Sequence, residues 1–127
     1  MSAVSRTGDR KITVPEILSR KSLLLAGSTE TKKITCLTAY DYPSARLLDE
    51  ADVDILLVGD SLAMVALGYD NTLPITLDDM LMGVRAVRRG TRRALLVADM
   101  PYGSYHVSLE DSVRNAIRLG ADRSRWV

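Results

Sequence analysis

Apolar and polar positions follow one another in blocks along this 127-residue chain, and the blocks change period in a regular order. Ile34–Thr38 is a short, partly β-branched apolar run, and Asp54–Val58 and Ala94–Ala98 contain two more. None alternates strictly. Strands of this kind are buried on both faces, as in parallel sheets covered by helices. Between and after them the period becomes helical. Pro43–Ala51 carries apolar residues at 45, 47, 48 and 51. Leu77–Arg89 has them at 77, 80, 81, 84 and 87, which is the i, i+3, i+4, i+7 spacing of one helix face. Leu109–Leu119 sets Val113, Ala116 and Ile117 on one side. A leading helix from about Val14 to Lys21 precedes the repeat, after a mobile lead-in over residues 1–11. The whole reads as a helix followed by βαβαβα.

Local signals sharpen the helix ends. Thr13 and Glu16 have the spacing of a capping box, with Pro15 in the first turn. Thr76 and Asp79 suit the start of the Leu77 helix, Arg88 and Arg89 its negative end, and Gly90 its stop. Ser108 suits the start of the last helix. The stretch 60–76 is long for a βα connection, and long loops at strand ends often carry function.

Composition narrows the class. The chain is 46% hydrophobic and 26% charged, as a globular protein is, and its net charge of +1 offers no basic face for nucleic acid. No apolar run approaches the ~18 residues of a membrane span, and the polar start has no signal-peptide core. The expectation is a soluble, cytoplasmic protein that binds neither nucleic acid nor membrane. One cysteine, Cys36, excludes an internal disulfide and a multi-cysteine zinc site. Within its apolar run it reads as a small buried hydrophobe. The single histidine, His106, excludes any site needing two. Arg85, Arg88, Arg89, Arg92 and Arg93 read as a solvated helix end, and Met64, Met80 and Met82 as packing residues.

The chemistry gathers where the strands end. Asp41, Asp60 and Asp99 each lie just beyond the C-terminal end of an apolar run. In parallel α/β folds that edge collects the functional loops. Neighbouring strands run about 4.8 Å apart, so acids at matching levels can face one point. Two carboxylates are a usual protein contribution to a Mg²⁺ site. Each acid also has a structural reading. Asp41, before Tyr42-Pro43-Ser44, suits a helix cap. Asp60 suits a site or a turn equally. Asp99 precedes Met100-Pro101 and is a poor ordinary cap, because proline disfavours helix at the residue before it. Gly59 permits close backbone approach beside Asp60. Ser61 adds a hydroxyl and an N–H that suit a carboxylate, or simply a turn.

Five strings in order, TAYDYPSA (38–45), ILLVGDSLAM (55–64), GYDNTLPIT (68–76), RAVRRG (85–90) and LLVADMPYGSY (95–105), resemble the ketopantoate hydroxymethyltransferase family over about residues 33–120. The resemblance implies a (β/α)8 TIM barrel, of which residues 1–127 would be the N-terminal part of a single domain, about three β/α units behind a leading helix. It implies transfer of a hydroxymethyl group from 5,10-methylenetetrahydrofolate to 3-methyl-2-oxobutanoate, giving 2-dehydropantoate in pantothenate biosynthesis. It also implies a homo-oligomer and Mg²⁺ as cofactor. The family's VGDS string falls on Asp60 and Ser61 and its ADxP string on Asp99. Asp60 and Asp99 are thereby expected as metal ligands, and Asp60, Ser61 and Asp99 as substrate-binding residues. The family's next strand, reading roughly Ala-Val-Lys-Leu-Glu-Gly-Gly, has no counterpart here, and its general base lies further on. Residues 122–127 diverge. Arg123-Ser124-Arg125-Trp126 is what a one-base slip makes of codons for Ala-Val-Lys-Val, so a frameshifted or truncated, inactive copy is expected. Two other readings stand beside this one. One is a small Mg²⁺-binding receiver-like signalling domain, which would need paired acids after its first strand and five strands. The other is a non-catalytic remnant.

Overall fold

The computed structural model describes residues 10–120 of the chain; most of the expected mobile lead-in and the divergent tail at 122–127 lie outside them. The described elements are α1 (Val14–Leu25), β1 (Cys36–Thr38), α2 (Tyr42–Glu50), β2 (Ile55–Val58), α3 (Leu62–Val65), α4 (Leu77–Gly90), β3 (Leu95–Ala98) and α5 (Leu109–Gly120). The three strands form one parallel sheet in the order β1-β2-β3, with Leu37 beside Leu56 and Leu56 beside Leu96. Such sequential order differs from the receiver-type arrangement, in which the first strand lies between the second and third.

The sheet is covered on one face. Side chains alternate along a strand, so Leu56, Val58 and Leu96 share the face toward α2 and α4, and all three are buried. They pack with Ala45, Met80, Val84 and Val87 into the core. Gly90 lets α4 approach α2 closely, since a Cβ there would lie 2.7 Å from the Tyr42 carbonyl oxygen and 2.9 Å from the Ala45 Cβ. The opposite face is open: Ile55 and Leu57 are half-buried, and Cys36, Thr38 and Val97 are exposed. Cys36 is therefore not the buried hydrophobe its apolar run suggests. It lies on the edge strand, on the uncovered face. On α5, Val113 and Ile117 are likewise exposed and Leu119 is buried.

Several element ends depart from expectation for identifiable reasons. Helix α1 runs four residues past Lys21, through Ser22-Leu23-Leu24-Leu25, which are adequate helix formers. It stops in a Schellman motif: Gly27 takes φ +83°, its N–H donates to Leu24 O, and the Ser28 N–H donates to Leu23 O. No capping box forms at its start, because the Thr13 side chain makes no cap hydrogen bond and Glu16 turns to Arg10 at 3.8 Å. The box at Thr76 and Asp79 does form, with both reciprocal bonds present. Gly90 is the last residue of α4 rather than the stop after it, and Thr91 caps the end. Met80 is buried, but Met64 and Met82 are exposed and do not pack in the core. Among the described residues no helix is long and apolar enough to cross a membrane.

Candidate functional site

Parallel pairing carries three chain segments to the same edge of the sheet. Beyond β1, the Ala39 N–H donates to Leu57 O, which keeps Tyr40 beside the end of β2. Beyond β3, the Asp99 N–H donates to Val58 O, which sets Asp99 beside Gly59 and Asp60. After β2 the chain turns at once into α3, through Leu62 N–H to Gly59 O and Ala63 N–H to Asp60 O. The buried Leu62 and Ala63 pin this turn to the core. Asp60 and Ser61 are thus held at the mouth of the sheet by backbone bonds and an apolar anchor.

The three expected residues meet there. The Asp60 N–H donates to Asp99 Oδ2 at 3.2 Å. A Cβ on Gly59 would stand 3.0 Å from Ser61 Oγ, a tight contact, and 3.4 Å from Asp99 Oδ2, an ordinary one. Asp60, Ser61 and Asp99 are all half-buried, neither sealed off nor fully in water. The Asp60 carboxylate accepts no hydrogen bond and joins no ion pair among the described residues, and Asp99 has only the one partner. Their remaining oxygens are open to a ligand.

Asp41 goes elsewhere. Its carboxylate accepts from the Ser44 N–H at 2.8 Å and caps α2, so the helix-cap reading holds for that acid. Tyr40, which the sequence reading passed over, joins the site instead. Its hydroxyl lies 2.7 Å from Ser61 Oγ, across 21 residues of sequence. The only local sign was its place between a strand and Asp41.

Among the described residues no group of three or more His, Cys, Asp or Glu side chains is arranged to hold a metal ion. The edge offers two carboxylates. That donor set, hard oxygen ligands with unsatisfied lone pairs, fits a divalent cation such as Mg²⁺, which commonly takes one or two carboxylates and keeps water for the rest.

Comparison with known proteins places the chain in a family. A profile of the family described as Ketopantoate hydroxymethyltransferase matches residues 19–125. The chain is 57% identical over 115 residues to a 3-methyl-2-oxobutanoate hydroxymethyltransferase of Koribacter versatilis, covering 89% of this chain and 37% of that protein. It is 51% identical over 110 residues to the protein of the same name from Heliobacterium modesticaldum, covering 87% of this chain and 37% of that one. For the protein of that name from Bacillus thuringiensis the identity is 53% over 102 residues, covering 80% and 37%. The chain thus spans 37% of the length of each of these relatives. With a profile match over most of its length and relatives above half identity, the chain belongs to the ketopantoate hydroxymethyltransferase family.

Proposed function

We propose that this chain forms the first β/α units of a single (β/α)8 barrel domain and carries the metal- and keto-acid-binding part of a hydroxymethyltransferase site. The observation that carries this reading is the bond from the Asp60 N–H to the Asp99 carboxylate on one sheet edge, where both carboxylates are under-satisfied and the Ser61 hydroxyl is adjacent in the chain. The one-sided helix layer supports the barrel, since the open face is apolar and parallel sheets are normally covered on both faces. The reaction is transfer of a hydroxymethyl group from 5,10-methylenetetrahydrofolate to 3-methyl-2-oxobutanoate, in the cytoplasm and within a homo-oligomer.

Asp60 and Asp99 are the residues that would hold Mg²⁺. When bound, the cation supplies Lewis acidity to the keto acid, making the neighbouring C–H more acidic. Asp60 enters this role without giving up any existing bond. Asp99 keeps its tie to the Asp60 N–H through Oδ2, which fixes the carboxylate while leaving its other oxygen open. Ser61 binds the substrate carboxylate. The Tyr40 hydroxyl lies 2.7 Å from Ser61 Oγ and either can donate; when Tyr40 does, the Ser61 proton is free to point at an anion, and a hydrogen bond to a charged acceptor is stronger than a neutral one.

A polypeptide of these 127 residues by itself is expected to show no measurable turnover, because two carboxylates hold Mg²⁺ weakly against its own water. The test is a chimera in which this segment replaces the matching segment of the Koribacter versatilis relative. It should form 2-dehydropantoate with Mg²⁺ present, and Asp60→Ala should abolish that turnover. Unchanged turnover in the Asp60→Ala chimera would remove Asp60 from the mechanism.

A further inference from the structure

Helix α4 carries a glycine where helix chemistry disfavours one. Gly83 lies in the middle of Leu77–Gly90, and glycine inside a helix is a poorer choice than alanine. Its φ is not positive, so no special backbone conformation calls for it. Space does. Met80, Val84 and Val87 are buried along the same side of α4, and Gly83 leaves a gap among them. A Cβ there would stand 2.7 Å from Leu62 Cδ1, well inside the about 3.5–4.0 Å at which carbon atoms rest against one another. Leu62 is 3% exposed and belongs to the core, where side chains have little room to swing aside.

The other neighbours of that gap place it behind the site. The same Cβ would lie 3.5 Å from Val58 Cγ1 and 3.7 Å from Tyr40 O. These are the segments from which the sheet edge is built. Val58 O accepts the Asp99 N–H, and the Tyr40 hydroxyl meets Ser61 Oγ. Leu62 follows Ser61 directly, and its N–H donates to Gly59 O, closing the turn that presents Asp60 and Ser61. The gap in α4 therefore backs onto that turn through a single residue.

We infer that Gly83 is a positioning residue for the Asp60–Ser61 turn. The space it leaves seats Leu62, and Leu62 sets where Ser61 stands against Tyr40 and where the Asp60 N–H meets Asp99 Oδ2. This rests on the proposed hydroxymethyltransferase reading for what the turn binds, and on packing alone for how the turn is placed.

Hydrogen exchange at the Asp60 amide, followed by NMR on the full chain, reads the turn without any ligand. Calorimetry with Mg²⁺ and 3-methyl-2-oxobutanoate reads its function. In Gly83→Ala the Asp60 N–H should exchange several-fold faster than in the parent, because its bond to Asp99 is disturbed. Mg²⁺-dependent keto-acid affinity should fall about tenfold or more, the loss typical when support around a metal site is altered. Adding Leu62→Val, which removes the Cδ atoms that the new methyl meets, should return both values toward the parent. Such coupling between contacting residues is not what a general loosening of α4 would give. Parent-like exchange and affinity in Gly83→Ala would overturn the inference, since Leu62 would then have turned aside without moving Ser61. Losses that Leu62→Val fails to reverse would overturn it as well. Should Gly83→Ala not fold, the double variant decides: a folded chain with parent-like exchange supports the inference, and an unfolded one overturns it. A parent chain that binds no keto acid would defeat the proposed function, while the exchange comparison would still decide the positioning.

Discussion

The same strands carry carboxylates at both ends, and the two ends treat them in opposite ways. At the N-terminal edge Asp54 and Asp49 are saturated. Asp54, 2% exposed, accepts both Arg20 guanidinium nitrogens at 2.8 and 3.0 Å, and also the Thr35 N–H and hydroxyl. Arg20 in turn reaches Lys32 O and Lys33 O. Asp49 collects the backbone N–H groups of Arg92, Arg93 and Ala94, and so pins the end of α2 to the start of β3. At the C-terminal edge Asp41 caps α2, but the Asp60 carboxylate has no partner among the described residues and that of Asp99 has one. A buried charge is costly unless it is paired, so the first set is spent on holding the fold. The second set remains free to bind something else. This is the division expected across a parallel α/β sheet, with stability at one edge and chemistry at the other.

The largest effect should follow from cutting into the saturated end. Asp54→Ala leaves the Arg20 guanidinium, only 17% exposed, without its counter-charge. Removing one partner of such a buried pair typically costs about 3–5 kcal/mol, which urea unfolding would register. Asp49→Ala should follow at about 2–3 kcal/mol, since three backbone donors lose their acceptor at once. A loss below about 0.5 kcal/mol in either variant would break the contrast between the two edges.

Acid should separate the edges more gently. Burial on its own raises the Asp54 pKa, but the Arg20 guanidinium and the two Thr35 bonds outweigh it and bring the carboxyl from 3.8 down to about 2. A group depressed in the folded state contributes stability above its unfolded pKa and loses it as pH falls through the folded one. Asp54 should therefore give up about 2 kcal/mol between roughly pH 4 and pH 2. Unfolding curves across that window, compared with those of Asp54→Asn, would isolate the contribution. The smallest effect on stability belongs to the open edge, where Asp60→Ala should change the unfolding free energy by no more than about 0.5 kcal/mol.

What could be read from the sequence follows from what is local. The strands announced themselves as short apolar runs and α2, α4 and α5 by period, and the meeting of Asp60, Ser61 and Asp99 followed from strand ends in a parallel sheet. Short elements and distant partners did not show. Helix α3 is four residues long, too short to display a helical period. The Arg20–Asp54 pair spans 34 residues and the Asp49 bonds up to 45, and no spacing rule reaches so far. Tyr40 joins Ser61 only because β1 and β2 pair in this register. Which strand residues face the helices was equally hidden. A continuous apolar strand reads the same from either face, and the structure makes Leu56 core while leaving Cys36 and Val97 exposed.

The open edge is tested most directly by Mg²⁺-dependent binding of 3-methyl-2-oxobutanoate, measured by calorimetry on the parent chain and two variants. Asp60→Asn removes a carboxylate that is free at the strand end, whereas Asp41→Asn alters one already engaged as a helix cap, where asparagine serves as well. Asp60→Asn should weaken the Mg²⁺-dependent affinity by about tenfold or more, at least the loss typical when support for a metal site is removed. Asp41→Asn should leave it unchanged. Parent-like binding by Asp60→Asn, or an equal loss in Asp41→Asn, would contradict the assignment of that edge to metal and substrate.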